Sequence, residues 1–452
     1  MVRVRSVAFA LAGMIGLSAC GGSLGTSPSL DSQAFKSERM LGSSKIQHVV
    51  IIVQENRSLN NLFMGYPGAT TQSYGYISSG KKVRLQAVPL EAPYDMGHDL
   101  HVFFEECNGT GSIPGTNCQM NGFDKDPATC GERCPIKYPA YAYVPKNETK
   151  PYWDMASQYV LADQMYPSNL DESSFISHQY IIAAQAMHAE GFPSSEEWGC
   201  EGPPGDEVGI LSPTRQFPDG GESVCFTDTS LGQEADAAGV SWAFYSAPVG
   251  PKNGGGWNGY QANQYVYGGR DWKTDYISPP SQFLTDVSKG KLRQISWITP
   301  TPANSDHAGF RSNTGPSWVA SLVNAIGKSK YWDSTAIFII WDDPGGFFDP
   351  APPAYIDYDG FGFRIPMLII SAYAKKGHVS HVQYEHGSIL RFAEDVFGLG
   401  QLSASDSRAS SPAADCFDFR KHARAFTVIK SRLGAAYFLH EPPDPRPPDT
   451  DL

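Results

Sequence analysis

Two stretches of this sequence run an apolar segment straight into a cluster of oxygen ligands. In the first, the run at 49–53 (VVIIV) leads through Gln54 to Glu55 and Asn56; in the second, AIFIIW at 336–341 leads to Asp342 and Asp343. In open α/β sheets, ligands gather beyond the carboxyl ends of the strands. If the two strands are neighbours, three carboxylates and one amide oxygen converge. Like charges that close either force protonation or require a cation. An all-oxygen donor set points to a hard divalent ion, Ca2+ or Mg2+ before Zn2+, with Mn2+ also admissible. Gly345 and Gly346 follow directly and let the backbone turn beneath such a site. Taken singly, each pair reads more often as a solvated turn or a helix cap.

The elements that must position these residues are legible in the hydrophobic pattern. The β-branched run before Glu55 predicts a buried strand, and SLNNLF after it predicts a helix start capped by Ser58. Trp318, Val319, Leu322, Val323 and Ile326 recur at helical spacing just before the strand AIFIIW. RIPMLIISAY gives another strand, and SILRFAEDVFGL at 388–399 an amphipathic helix. This alternation predicts an α/β fold with a central, mainly parallel sheet and helices on both faces. Residues 100–150 and 187–290 are rich in Gly, Pro, Asn, Cys and aromatics, and are expected to be loop-rich insertions over one end of the sheet. The last residues, 441–452, are Pro- and Asp-rich and are expected to be disordered.

The chain has 452 residues, a net charge of −12 and no run of clustered Lys and Arg, which argues against nucleic-acid binding. At the N-terminus, Arg3 and Arg5 precede an apolar stretch at 7–17 and then LSAC. This reads as a targeting segment over residues 1–20. LSAC followed by Gly resembles a lipobox, in which Cys20 becomes a lipidated membrane anchor; an ordinary cleaved export signal is the alternative. Either way the protein is expected to be exported, as a cell-envelope lipoprotein or a periplasmic or secreted protein. Residues 21–44 read as a flexible linker and residues 45–440 as the catalytic domain. Outside the cytoplasm, cysteines favour disulfides, and nearness suggests Cys107–Cys118, Cys130–Cys134 and Cys200–Cys225. Zinc at Cys130 and Cys134 ranks lower, because no second pair at zinc-site spacing accompanies them.

Several segments together resemble the acid phosphatase/phospholipase C phosphoesterases. QENRSLNNLF is similar to the ENRSFD signature of that family, and DDPGGFFDPAPP to its D-[DE]-x-G-G-x-x-D-H-x-P-P segment. GFRIPMLIISAYAKKGHVSH and QYEHGSILRFAEDVFGL are similar to its closing segments, and NGFD at 121–124 to a shorter motif. The resemblance implies an alkaline phosphatase-like fold. It implies one divalent ion held by Glu55, Asn56, Asp342 and Asp343 together with the hydroxyl of a serine nucleophile. MYPSNLDESSFISHQYIIAAQA at 165–186 is similar to the segment carrying that nucleophile; spacing to His178 favours Ser173, with Ser174 as the alternative. His98, with His101 in reserve, and His307 match histidines that contact phosphate or protonate the leaving oxygen. His386 is expected to cap a helix or support the fold. One departure stands out: after Asp349 the family commonly has His, and here Pro350 follows.

These residues lead to the expectation of a metal-dependent phosphoric ester hydrolase acting on small phosphate esters or phospholipid head groups. The chain is shorter than family phospholipases, and Asp343 stands where those more often have Glu. Both points favour the acid phosphatase type, with phospholipase C as the alternative. A non-catalytic lipid-tethered protein that binds phosphate or glycans would not need a serine hydroxyl beside the metal.

Overall fold

The computed structural model describes residues 44–130, 133–195, 198–249 and 257–447. The expected targeting segment with Cys20, and the expected linker up to residue 43, lie outside the described residues. Among the described residues, no helix is long and apolar enough to cross a membrane.

Nine strands form the central sheet: β1 (His48–Gln54), β2 (Val160–Tyr166), β3 (Trp242–Tyr245), β4 (Tyr276–Ile277), β5 (Ile295–Ile298), β6 (Thr335–Trp341), β7 (Ile365–Ser371), β8 (His378–Ser380) and β9 (Tyr384–Glu385). Their order is β4-β3-β5-β1-β6-β7-β2-β8, with β9 also paired to β2. Every pairing is parallel except the two made by β7, which runs against β6 and β2. Because β7 is the single reversal, β1, β6 and β2 all point the same way. Their carboxyl ends therefore share one edge of the sheet.

β6 and β7 are buried at all seven of their positions, which requires apolar cover on both faces. Helices α1 (Leu59–Phe63), α2 (Leu100–Cys107), α3 (Lys150–Gln158), α4 (Ser174–Ala183), α5 (Gly315–Gly327) and α6 (His386–Phe397) are the ones that matter for the site. α3 packs with α5 and α4 with α6, supplying much of that cover. Ser58 caps α1 as expected, accepting from the Asn61 amide at 3.1 Å.

The two loop-rich stretches behave differently from each other. Residues near 100–150 build a satellite core with Leu100, Phe103, Phe123, Tyr141, Phe348 and Phe363, beside the segment that leaves β6. Residues 187–290 do more than cap the sheet, because they also contribute β3 and β4 to its edge. Both strands are four residues or shorter and sit among Gly, Ser and Pro, so they leave no readable period. The disulfides are Cys107–Cys118, Cys130–Cys134 and Cys200–Cys225, the same pairs expected from nearness, and Cys416 is a buried free thiol. Composition predicts a disordered tail from 441 onward. Instead, up to residue 447 it makes specific contacts, with Glu441 and Asp444 accepting from Asn304 and Ala303.

Candidate active site

β1 and β6 pair in register with Gln54 opposite Trp341, so Glu55 and Asp342 leave the sheet side by side. The Asp342 amide donates to the Gln54 carbonyl at 3.0 Å, and the Asn56 amide donates to Asp342 Oδ1 at 3.0 Å. Asn56 turns the chain in the left-handed region at φ 57°, a conformation Asn tolerates better than most residues. Its buried side-chain nitrogen and oxygen have no hydrogen-bond partner in the protein. Gly345, at φ +60°, packs directly beneath: a Cβ there would lie 2.4 Å from the Asn56 carbonyl oxygen. A side chain at 345 would displace the turn that carries Asn56.

The third contribution comes from the end of β2. The chain passes through residues 167–173 and enters α4 at Ser174, whose hydroxyl donates to Asp343 Oδ2 at 3.4 Å. One turn later, His178 Nε2 lies 3.3 Å from Glu55 Oε1 and 3.6 Å from Asp342 Oδ2. Glu55, His178 and Asp342 each offer a ligand atom within 4.8 Å of the others, and all three are buried.

Ser173, the serine favoured by spacing, is not at this cluster. It precedes the helix, and its hydroxyl donates to Asp171 Oδ2 at 2.6 Å, with the Gly191 carbonyl oxygen 3.1 Å away. The different placement of the two hydroxyls follows from helix geometry. Residues four apart are offset by only about 40°, whereas residues five apart are offset by about 140°. Ser174 therefore shares a face with His178, and Ser173 does not. In the sequence, His178 serves only as a spacing marker; that same i, i+4 relation to Ser174 is the signal that could have placed it in the site.

Charge in this pocket is strongly perturbed. Burial alone would raise the Asp342 carboxyl, but hydrogen bonds with the His178 and Glu55 side chains and the Asn56 amide outweigh it and hold the group well below the usual range. Burial and the neighbouring Asp342 charge push Asp343 well upward. Behind it, Glu172 is raised to about 8 by burial, against the pull of His98. Glu106 and Asp126 are also raised, chiefly by burial and then by Glu172. The sequence offers no hint of this buried carboxyl group, since its members are far apart in the chain.

His98 and His307 meet edge to face with ring centroids 5.6 Å apart. His98 Nδ1 lies 2.8 Å from the Met96 carbonyl, which as its acceptor fixes the proton on that nitrogen. His307 Nδ1 lies 2.5 Å from the Ala308 carbonyl and 3.6 Å from Asp95 Oδ2, and Trp257 stacks on the His307 ring. His101 points elsewhere, against Phe217 in a separate cleft of about 410 Å³. His386 opens α6 against the backbone of Trp341 and Asp342; burial lowers it to about 3, so it stays neutral. Arg57 joins two site loops, donating from Nε to the Asp306 carbonyl at 2.8 Å and from Nη2 to the Leu90 carbonyl at 3.0 Å. Asp349, next to the divergent Pro350, is fully buried and pairs with Arg364 at 2.8 and 3.2 Å. Its contacts are those of a structural ion pair.

The donor set fits a divalent cation. Buried carboxylates lie side by side, and the Asn56 side-chain amide beside them has no partner in the protein. A cation would satisfy both. His178 adds an imidazole to the all-oxygen set expected from the sequence. An imidazole suits Zn2+ better than Ca2+ or Mg2+.

The model of the phosphoesterase family matches residues 46–400, most of the chain. This protein belongs to the phosphoesterase family. Among curated relatives, the phosphoesterase is 23% identical over 433 residues to a non-hemolytic phospholipase C of Burkholderia pseudomallei, covering 80% of this chain and 57% of that one. It is 24% identical to the hemolytic phospholipase C of Pseudomonas aeruginosa, covering 83% and 56% respectively. The chain thus spans a little over half the length of these relatives. A sulfatase from Pseudoalteromonas sp. is 9% identical with a TM-score of 0.42, covering 88% of this chain and 77% of that one. A protein of the alkaline phosphatase superfamily from Vibrio parahaemolyticus is 12% identical with a TM-score of 0.36, covering 85% and 81%.

Proposed function

We propose that this phosphoesterase hydrolyses phosphoric esters through a phosphoseryl intermediate on Ser174. The observation that carries this reading is the Ser174 hydroxyl hydrogen-bonded to Asp343, beside the buried Glu55, Asn56, His178 and Asp342. Those residues would hold one divalent cation. When bound, it would supply Lewis acidity that lowers the pKa of the serine hydroxyl and offsets phosphoryl charge.

The protein's own groups do the rest. Ser174 stands at the first turn of the ten-residue α4, where the helix N-terminus favours negative charge on its oxygen. As the Ser174 oxygen bonds to phosphorus, its hydroxyl proton passes to the Asp343 carboxylate, the bond to the leaving oxygen breaks and His307 gives that oxygen a proton. The His307 Nδ1 is held by the Ala308 carbonyl with Asp95 3.6 Å away, so the proton transferred is the one on Nε2. As an imidazolium, with Nδ1–H held by the Met96 carbonyl, His98 can donate from Nε2 to a phosphoryl oxygen. Water then cleaves the phosphoserine and restores the hydroxyl.

Similarity to phospholipase C sequences favours a phosphodiester of a lipid head group over the phosphomonoester suggested by Asp343. Three disulfides suit an oxidising compartment, so we place the protein outside the cytoplasm. The test is turnover of p-nitrophenyl phosphorylcholine and p-nitrophenyl phosphate, before and after chelation and with Zn2+, Mn2+, Ca2+ or Mg2+ restored. Choline diester preference supports the lipid reading, and monoester preference reverses it. Turnover of neither, with every metal supplied, would sink the hydrolase proposal for these esters.

A further inference from the structure

The C-terminal segment reaches back across the loop that carries His307. Asn304 Nδ2 donates to Glu441 Oε2 at 2.6 Å, and the Ala303 amide donates to Asp444 Oδ2 at 3.0 Å. Arg446 donates from Nη1 to the Phe310 carbonyl at 2.8 Å, while its Nε donates to Asp444 Oδ1 at 2.9 Å. The guanidinium also lies over the Phe310 ring, 5.0 Å from its centroid. Both ends of the 303–310 loop are therefore gripped by one short stretch of tail.

What this loop holds makes the grip consequential. The Ser305 carbonyl accepts from the Glu55 amide at 2.9 Å, and the Asn304 carbonyl accepts from Gln54 Nε2 at 3.0 Å. The Phe310 ring packs 4.9 Å from the ring of His307, which in turn meets His98. Under the strap remains a gap of about 180 Å³, bordered by Pro280, Trp318, Phe438 and Pro442. The tail is thus attached by discrete polar clamps more than by a filled apolar interface. Such clamps add little to global stability but define where the loop sits.

We infer that Asp444 and Arg446 are positioning residues: they latch the 303–310 loop so that His307 stands at the phosphoryl site. This rests on the proposed role of His307. Misplacing a catalytic group by about 1 Å can cost about 100-fold in rate. In the full chain, Arg446→Ala and Asp444→Ala should each lower kcat by about 10- to 100-fold with KM within about twofold. Arg446→Lys keeps the charge without the fork and should fall between. In a His307→Asn background, Arg446→Ala should change kcat by less than about twofold, because the two residues act through one group. Hydrogen exchange at 303–310 should rise in Arg446→Ala and Arg446→Lys while the melting temperature holds. Equal losses in both backgrounds, or unchanged exchange at 303–310, would overturn the latch. A wild type that turns over nothing would count against the hydrolase reading alone, since the exchange measurement still decides whether the strap holds the loop.

Discussion

Replacing the two adjacent serines one at a time separates nucleophile from scaffold. Ser173 and Ser174 are both fully buried, yet their hydroxyls are spent differently. The Ser174 contact to Asp343 is 3.4 Å, longer than an ordinary O–H···O bond, so its loss costs under about 1 kcal/mol of stability. Ser173 donates at 2.6 Å to Asp171, a buried carboxyl that also accepts the Ser173 and Gly191 amides. Removing that hydroxyl leaves the carboxyl short of a donor, at a cost of about 1–3 kcal/mol. Ser174→Ala should therefore keep its melting temperature and lose at least about 10³-fold in kcat, since nothing else at the cluster can form the covalent ester. Ser173→Ala should melt several degrees lower and keep kcat within about tenfold. Steady-state assays on the p-nitrophenyl esters with thermal melts read both numbers, and mass spectrometry of an acid-quenched reaction locates the phosphoserine. An active Ser174→Ala beside an inactive, normally melting Ser173→Ala would refute the helix-face argument and return the nucleophile to 173.

Two further outcomes concern stability. Asp349→Ala leaves Arg364 buried without its partner and should cost about 3–5 kcal/mol, measured by urea denaturation; a loss of activity without loss of stability would instead give Asp349 a part in the chemistry. Glu394, on α6, is raised to about 9 by burial and by Asp406 beside it, which accepts the Leu402, Ser403 and Ser407 amides. A carboxyl raised on folding gives stability that is whole below its unfolded pKa and fades as pH climbs toward 9. Glu394→Gln should therefore raise the melting temperature at pH 8 by about 2–4 °C and leave it nearly unchanged at pH 4; a larger gain at pH 4 would contradict the protonated carboxyl.

The strands that carry Glu55 and Asp342 are legible because long apolar runs stop abruptly at polar residues, and a continuous β-branched run has little alternative to a buried strand. That they are neighbours is an assumption at the level of sequence, and the register of Gln54 opposite Trp341 is what meets it. β3 and β4 escape notice because strands that short fix no period. Counting along the chain prefers Ser173, whereas the proposal of Ser174 rests on the rotation of a helix that puts it on the face of His178. Glu106, Asp126 and Glu172 are ordinary in sequence, and only burial gives them a common character. The latch on the His307 loop is hidden for a related reason. Pro- and Asp-rich composition describes how a segment behaves alone, whereas Asp444 and Arg446 find partners only on the folded surface.

The order of strands in the central sheet has a kinetic side. The bonds that knit the site span 123 residues from Glu55 to His178, 169 from Ser174 to Asp343 and 286 from Asn56 to Asp342. The last joins neighbouring strands, β1 and β6, but the first two reach α4, beyond β2, and await the insertion of β7 between β6 and β2. The cage therefore has no local precursor in a growing or partly folded chain. High contact order slows such assembly. It also means that a cation able to bind the finished cage has no comparable site in the unfolded ensemble. Its binding would favour the complete sheet by mass action, and depletion of metal would be felt as lost stability across the whole domain as well as at the ester bond.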